Sequence, residues 1–584
     1  MAAAQAAESR HALRAICLLA VLVSAKALTL AGRQIPVSAW WPFAYFWQDV
    51  GVALVFFAVD RTLKRPALAW SAYAVLAAYT ALNVPITRVL STPLTWTMIR
   101  AARGPLADAV RHYVTAGNLL ALAAPVVLAI ALPLLLGRRT VRVRPWAIAL
   151  GLAVVAIGPF AATRAGTLGL HRNAVGALVA TSLPRVEPVA GEADWRASPF
   201  PQPRGEDLSS LRGSMRGRNV ILVVLESTAA RHLKTYGAPM DPMPNLSALA
   251  RRSIVVERAY AVYPESVKGL FATLCSRYPA FDTAPEIYAD VACAPLPRLL
   301  RESGYQTALL HSGRFEYLGM PAMIERRGFD LLEDAGAIGG QVNSSFGVDD
   351  ASTVRRALQW IAARRGQRFF LTYLPIAGHH PYEASIPGPF KGRDDFTRYL
   401  NSLHESDAAL GELLDGLRAL GLDDDTLVVV MGDHGEAFGE HPGNFAHTLF
   451  IQEENVRVPY VIAAPGAIDR ERRVQRVASV IDTAPTILDL LGLPAPALHQ
   501  GVSLLAPDPR LALFFTDYSI GWLGLADGCW KYLLELDAGR SRLYDVCVDP
   551  RESRDRAAEF PERIAAYRER VQAWAAAQKD AVGR

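Results

Sequence analysis

The sequence predicts a bundle of five membrane-spanning helices followed by an α/β domain. That domain is expected to hold a mostly parallel sheet flanked by helices, with a small antiparallel hairpin and a helix at its C-terminal end. Three observations lead there. Apolar residues make up 51% of the 584-residue chain and charged residues only 20%, with mean hydropathy +0.16, too apolar for a large soluble protein. The excess is gathered into five runs before residue 165. Beyond residue 218, apolar runs rich in β-branched residues alternate with helical stretches. Composition also excludes a disordered chain, a collagen-like one (43 Gly without a period of three) and a disulfide scaffold (5 Cys). The 61 basic and 56 acidic residues leave +5. They form no basic stripe interleaved with aromatics, so no nucleic-acid partner is expected.

The five runs are 12–32, 40–59, 66–86, 117–136 and 145–163. Each is long enough to cross a hydrocarbon core of about 30 Å as a helix. Lys26 and Asp49 weaken the first two. The first run is expected to be retained, because its apolar stretch is long and no small-residue cleavage site ends it. Arg10 and Arg14 precede the first run. Arg61, Lys64 and Arg65 separate the second and third, and Arg138, Arg139, Arg142 and Arg144 the fourth and fifth. With those segments cytoplasmic, an odd number of spans puts everything after about residue 164 on the extracytoplasmic side of the plasma (inner) membrane. The opposing loop, 87–116, carries Arg88, Arg100, Arg103 and Arg111 and has an amphipathic character. Trp40, Trp41 and Trp47 fit an interfacial belt. Cys17 falls in the first run. Cys275, Cys293, Cys529 and Cys547 fall in the exported part, an even set suited to an oxidising compartment. Of three pairings, the sequence-local one, Cys275 with Cys293 and Cys529 with Cys547, is favoured; four free thiols are the alternative.

The expected organisation is therefore a membrane domain 1–164, a Pro-, Arg-, Gly- and Ser-rich tether 165–217, an α/β domain 218–508 and a C-terminal subdomain 509–584 that completes it. Strands are expected at 219–225, 307–311, 368–374, 426–432 and 458–464, and helices at 244–252, 267–274, 296–303, 349–365, 396–420 and 480–491. Strand–helix alternation implies right-handed crossovers and a mostly parallel sheet. Segments 529–536 and 542–548 flank an Asp-Ala-Gly-Arg turn and read as a hairpin, with a helix near 560–577.

Polar residues then fall at strand ends. Glu226 follows the first strand, His311 ends the second, His379 and His380 follow the third, and Asp433 and His434 follow the fourth. Ligands of open parallel sheets bind at that edge. Singly, Glu226 would read as a helix cap and each histidine as structural; together they read as one site. Carboxylate and imidazole suit Zn²⁺ or Mn²⁺ better than Mg²⁺ or Ca²⁺. Glu226, Asp433 and His434 would supply three ligands and leave a position open. Ser266, ahead of an apolar helical stretch, is either a plain N-cap or a nucleophile whose hydroxyl a cation would activate. Asp407, mid-helix, reads as structural.

Several segments carry a resemblance. NVILVVLEST (219–228) with PMPNLSALARRSIVVERAY (242–260), YLNSLHESDAALGELL (399–414), MGDHGEAFGEH (431–441), VRVPYVIAAPG (456–466) and LYDVCVDPRES (543–553) resemble the sulfatase branch of the alkaline phosphatase superfamily over roughly 219–575. Five spans ahead of such a domain resemble lipoteichoic acid synthases, phosphoethanolamine transferases and glucan phosphoglycerol transferases. The resemblance implies an alkaline-phosphatase-like fold, with Glu226, Ser266, Asp433 and His434 as ligands of a divalent Zn or Mn. It makes Ser266 the nucleophile, where the transferases usually have Thr. It makes His379 a substrate-contacting histidine, and His447 a contact for the transferred group or a second metal.

Two departures shape the functional expectation. Sulfatases need Cys or Ser followed by x-Pro/Ala-x-Arg, whereas Ser266 is followed by Val267, Lys268, Gly269 and Leu270. Glycerophosphate-transferring relatives tend to place an acidic residue and an aromatic after the His-Gly that ends the second strand. Here His311 is followed by Ser312, Gly313, Arg314 and Phe315, so the donor does not carry over, although Arg314 could pair with a phosphate. His311, Arg314, Lys268 and His380 are possible substrate contacts; an exposed helix lysine is the alternative for Lys268. The expected activity is a metal-dependent transferase in which Ser266 takes a headgroup from a membrane phospholipid and passes it to a sugar or lipid acceptor, with His379 or His447 as general acid and base. The rivals are a membrane-bound sulfatase or phosphodiesterase, and a non-catalytic scaffold.

Overall fold

The computed structural model describes residues 2–582 except 34, 36–37, 102–112, 138–142, 168, 184, 187–193 and 341–345. Arg103, Arg111, Arg138, Arg139 and Arg142, part of the orientation argument, lie outside the described residues. The chain divides into two compact units, one of residues 1–100, 106–185 and 518–520, the other of 101–105, 186–517 and 521–584.

Among the described residues, the first unit carries five helices long and apolar enough to cross a membrane: Ser9–Leu30, Trp41–Thr62, Pro66–Leu90, Ala116–Leu136 and Pro145–Ala165. They fall on the five apolar runs. The charges that weakened two of those runs neutralise each other. Lys26 Nζ lies 3.7 Å from Asp49 Oδ2, and Asn173 Nδ2 donates to Asp49 Oδ1 at 2.6 Å. Arg14 makes two bonds to Asp60, at 2.9 and 3.0 Å. Charged side chains within spans are costly unless paired in this way. Within the stretch read as a tether, Ala174–Ser182 is helical, its first turn capped by the Asn173 side chain.

The second unit is built on a nine-stranded mixed sheet. Its strands are β1 (Asn219–Leu225), β2 (Ile254–Tyr260), β3 (Gln306–His311), β4 (Leu331–Glu333), β5 (Phe369–Leu374) and β6 (Thr426–Gly432). After a two-stranded flap, β7 (Ala437–Phe438) and β8 (Phe445–Ala446), come β9 (Arg457–Val458), β10 (Tyr460–Ala463) and β11 (Arg472–Ser479). The order is β11-β2-β10-β6-β1-β5-β3-β4, with β9 on β2. Every residue of β1, β5 and β6 is buried, as central parallel strands covered on both faces require. Ile221, Val223, Leu371 and Val430 pack with Val354, Leu403 and Leu410 of the helices Asp350–Ala362 and Asp395–Ala419.

Three differences from the sequence reading have physical reasons. The fifth expected strand survives as β10 but runs antiparallel to β2 and β6; a buried apolar run does not report its direction. Strands β2, β4 and β11 went unread. β2 is interrupted by the half-buried Glu257 and Arg258, β11 alternates charged with buried residues at one edge, and β4 is three residues long at the other. The hairpin is half of a four-stranded antiparallel sheet, β12 (Leu511–Thr516), β13 (Trp522–Asp527), β14 (Trp530–Glu535) and β15 (Arg540–Asp545). Helix Pro561–Val582 follows. Disulfides join Cys275 to Cys293 and Cys529 to Cys547, and Cys17 is free and buried.

Asp407 is buried inside its helix. It accepts from Asn245 N at 2.8 Å and Leu246 N at 2.9 Å, satisfying the otherwise orphaned first amides of helix Pro244–Ala250.

Candidate active site

The carboxyl ends of β1 and β6 are bound together before any side chain is counted. Asp433 N donates to Leu225 O at 3.1 Å. Ser227 adopts a left-handed backbone (φ 52°), a conformation costly outside glycine and common at functional sites. Its N–H donates to Asp433 Oδ1 at 3.0 Å. The histidine loop after β5 approaches just as closely: a Cβ on Gly378 would lie 2.2 Å from Glu226 O, so only glycine fits.

On this platform Glu226, Asp433 and His434 gather, with one ligand atom from each lying within 4.8 Å of the others. His434 Nε2 is 3.6 Å from Glu226 Oε1 and 3.4 Å from Asp433 Oδ2. Its Nδ1 faces Gly435 O at 3.0 Å; a proton held there leaves the Nε2 lone pair toward the carboxylates. Glu226 caps no helix; it accepts from Ser227 Oγ at 2.9 Å and Ser266 Oγ at 2.8 Å.

Ser266 is the single residue in 259–276 that is not buried. Its Oγ also lies 3.3 Å from His434 Nε2. The sequence allowed Ser266 as an N-cap, and this is corrected: Glu265 is the cap, accepting from Val267 N at 2.8 Å. Because Glu265 takes the capping role, the serine hydroxyl is left for Glu226 and His434 at the positive end of helix Ser266–Cys275.

Electrostatics reflect two buried carboxylates facing each other. Burial, then the Glu226 charge, push Asp433 well above the ordinary range. Burial also works to raise Glu226, but His434, His379, His447 and the Ser266 hydroxyl outweigh it and bring it to about 2. Among the described residues, no lysine or arginine pairs with either carboxylate, so a divalent cation fits this donor set on charge as well as on ligand type.

His447 lies against His434 with its ring tilted by 31° at 4.2 Å between centroids and turns Nδ1 to Glu436 Oε2 at 2.6 Å. Burial holds it well below 6.5, hence neutral. His434, Glu436 and His447 form a second compact ligand group. His379 lies 6.3 Å from His447 and 4.8 Å from Phe346, centroid to centroid. His380 sits beside it, edge-on to Tyr382. His311 is buried with Nδ1 3.0 Å from Leu374 O and its ring stacked on Phe315. Arg314 is half-buried on the loop after β3. Lys268 is not an exposed helix lysine: it is 3% exposed and its ammonium lies 2.8 Å from Asp517 Oδ2.

Sequence reasoning missed Glu265, Glu436, Tyr382 and Asp517. Glu436 had a signal, standing two residues after His434. Burial pushes it up to about 7, and Tyr382 donates to it. Asp517 had none, being 249 residues from its partner Lys268.

Residues 218–493 match the sulfatase family model, and the fold of this unit is alkaline-phosphatase-like. It is 24% identical over 299 residues to the lipoteichoic acid synthase-like protein YvgJ of Bacillus subtilis, covering 48% of each chain. It is 34% identical over 177 residues to arylsulfatase K of Bos taurus, covering 27% of this chain and 32% of that one. The chain thus spans about half, or less, of the curated relatives' lengths. Among solved structures it resembles a Vibrio parahaemolyticus protein of the alkaline phosphatase superfamily (TM-score 0.54, 21% identity, covering 65% of this chain and 90% of that one). It also resembles the lipoteichoic acid synthase LtaP of Listeria monocytogenes (TM-score 0.50, 19% identity, covering 65% and 96%).

Proposed function

We propose that this protein is a membrane-anchored, metal-dependent phospho-group transferase that moves a phospholipid headgroup to an extracytoplasmic sugar or lipid hydroxyl. The observation that carries the reading is Ser266 Oγ, 2.8 Å from Glu226 and 3.3 Å from His434, accessible in an otherwise buried segment. Glu226, Asp433 and His434 would hold the cation, Zn or Mn, which when bound lowers the pKa of the serine hydroxyl and offsets charge on the phosphoryl oxygens. Ser266 Oγ bonds to phosphorus as the bond to the diacylglycerol oxygen breaks. His379 or His447 takes the serine proton and passes it to that oxygen. The acceptor hydroxyl then gives its proton to the same histidine as its oxygen displaces Ser266, and the histidine returns the proton to the serine oxygen, restoring the enzyme. The helix N-terminus beneath the serine favours the anionic ester. His311, Arg314 and His380 are assigned to the headgroup side. Five spans and two disulfides support a plasma-membrane protein whose sulfatase-family domain works in an oxidising, extracytoplasmic compartment.

The likeness to arylsulfatase K favours a second reading, hydrolysis of a sulfate or phosphate ester with water as acceptor. Against the sulfate form stands Val-Lys-Gly-Leu after Ser266. Incubating the purified protein with headgroup-labelled phospholipid and sequencing the labelled peptide tests the proposal: label on Ser266 that chases onto an added alcohol is expected. Turnover of a chromogenic sulfate with no labelled serine would replace it with the hydrolase.

A further inference from the structure

Lys268 stands two residues beyond the serine, in the first turn of helix Ser266–Cys275, where a cation opposes the helix dipole. It is buried, and its ammonium lies over the rings of Tyr263 (4.7 Å) and Phe515 (5.5 Å). Such a group is kept only with a partner, and the partner is Asp517, fully buried just after β12 of the second sheet. Asp517 also accepts from Tyr263 Oη at 2.6 Å and Asp282 N at 2.8 Å. The two residues before it reach the same neighbourhood: Phe515 N donates to Val262 O at 3.0 Å, and Thr516 Oγ1 donates to Thr448 O, next to His447. Residues 515–517 therefore hold the segments on either side of the reaction, 262–268 with the serine and 447–448 with the histidine.

We propose that Asp517 is a positioning residue which, through Lys268 and Tyr263, registers Ser266 against His447, so that the C-terminal antiparallel sheet sets the geometry of the transfer step. This rests on Ser266 being the nucleophile, and the test separates the two ideas. Asp517→Asn and the charge-free pair Lys268→Met/Asp517→Asn, which leaves no bare buried ion, would be compared with wild type in full-length protein for kcat, KM and Tm. The same changes would be placed on Ser266→Cys, and alkylation of the introduced thiol by iodoacetamide measured. The expected result is kcat lower by roughly 10- to 100-fold with KM within about threefold, and thiol alkylation altered at least about fivefold, for both the single and the paired change. Lower Tm with kcat and thiol reactivity unchanged would make the pair merely structural and overturn the proposal. Altered thiol reactivity in a protein whose wild type never labels Ser266 would sink the transferase reading while leaving the positioning role standing.

Discussion

Two groups of one histidine and two carboxylates occur in the same unit, buried except for the half-buried His441, each with ligand atoms within 4.8 Å: Glu226, Asp433 and His434, and His441, Glu454 and Glu552. By residue type and compactness they are alike. They differ in what balances the charge. The second group is threaded by the protein's own cations: Lys531 Nζ lies 3.0 Å from Glu552 and 3.1 Å from Glu453, and Arg231 pairs with Glu454 at 3.0 Å. The first group has no such partner among the described residues, and the Ser266 hydroxyl points into it. A compact cluster of His and Glu is thus a metal candidate where the fold withholds its own cation, and a structural ion network where it supplies one.

The largest effects should come from the first group. Glu226→Ala or Asp433→Ala should lower activity by roughly a thousandfold or more and reduce bound metal measured by elemental analysis. Chelation should do the same to wild type, reversed by added Zn²⁺ or Mn²⁺. Retention of metal in both variants would erase the contrast. Next comes Lys531→Met, which bares buried carboxylates and should cost about 3–5 kcal/mol in denaturant unfolding while metal content per folded molecule stays unchanged. A smaller loss, about 1–3 kcal/mol, is expected for Asp407→Ala, which strips the acceptor from two amides of helix Pro244–Ala250.

The smallest effect is a pH dependence. Burial opposes charging His441, but Glu454 at 2.6 Å, with Glu552, outweighs it and raises the ring above 6.5. Lys531 works in the opposite direction. A raised histidine contributes stability that is fully present below its unfolded value and is lost as pH rises through the folded one. The Tm advantage of wild type over His441→Gln should therefore be wider near about pH 6 than near about pH 8.5. A gap that widens with rising pH would show that the network does not hold the charged ring.

Much of this contrast was readable in the chain, and the reason is local. β1, β5 and β6 are continuous apolar runs, so the polar residue that ends each one announces the edge of the sheet; Glu226, His379, Asp433 and His434 were found that way. Ser266 stood open between cap and nucleophile until the resemblance favoured the second, since a serine before a helix is ordinarily a cap, and only the structure shows Glu265 in that role. What stayed hidden is non-local. Lys531 lies in the apolar strand β14 and Asp517 directly follows the apolar strand β12, each paired with a residue remote in sequence, and no periodicity reports which partner a strand end will meet. The direction of β10 was hidden for a similar reason, because hydrogen-bonding sense leaves no mark on side-chain pattern.

The ion pairs of the first two spans carry a consequence for how the bundle assembles. Arg14 with Asp60 and Lys26 with Asp49 are two rungs between the same pair of antiparallel helices, about 18 Å apart along the first at 1.5 Å per residue. Sliding either helix by one turn, about 5.4 Å, would break both rungs at once. The rungs therefore act as a key with one register, and inserting a full turn into one helix alone should be tolerated less well than exchanging the two members of either rung.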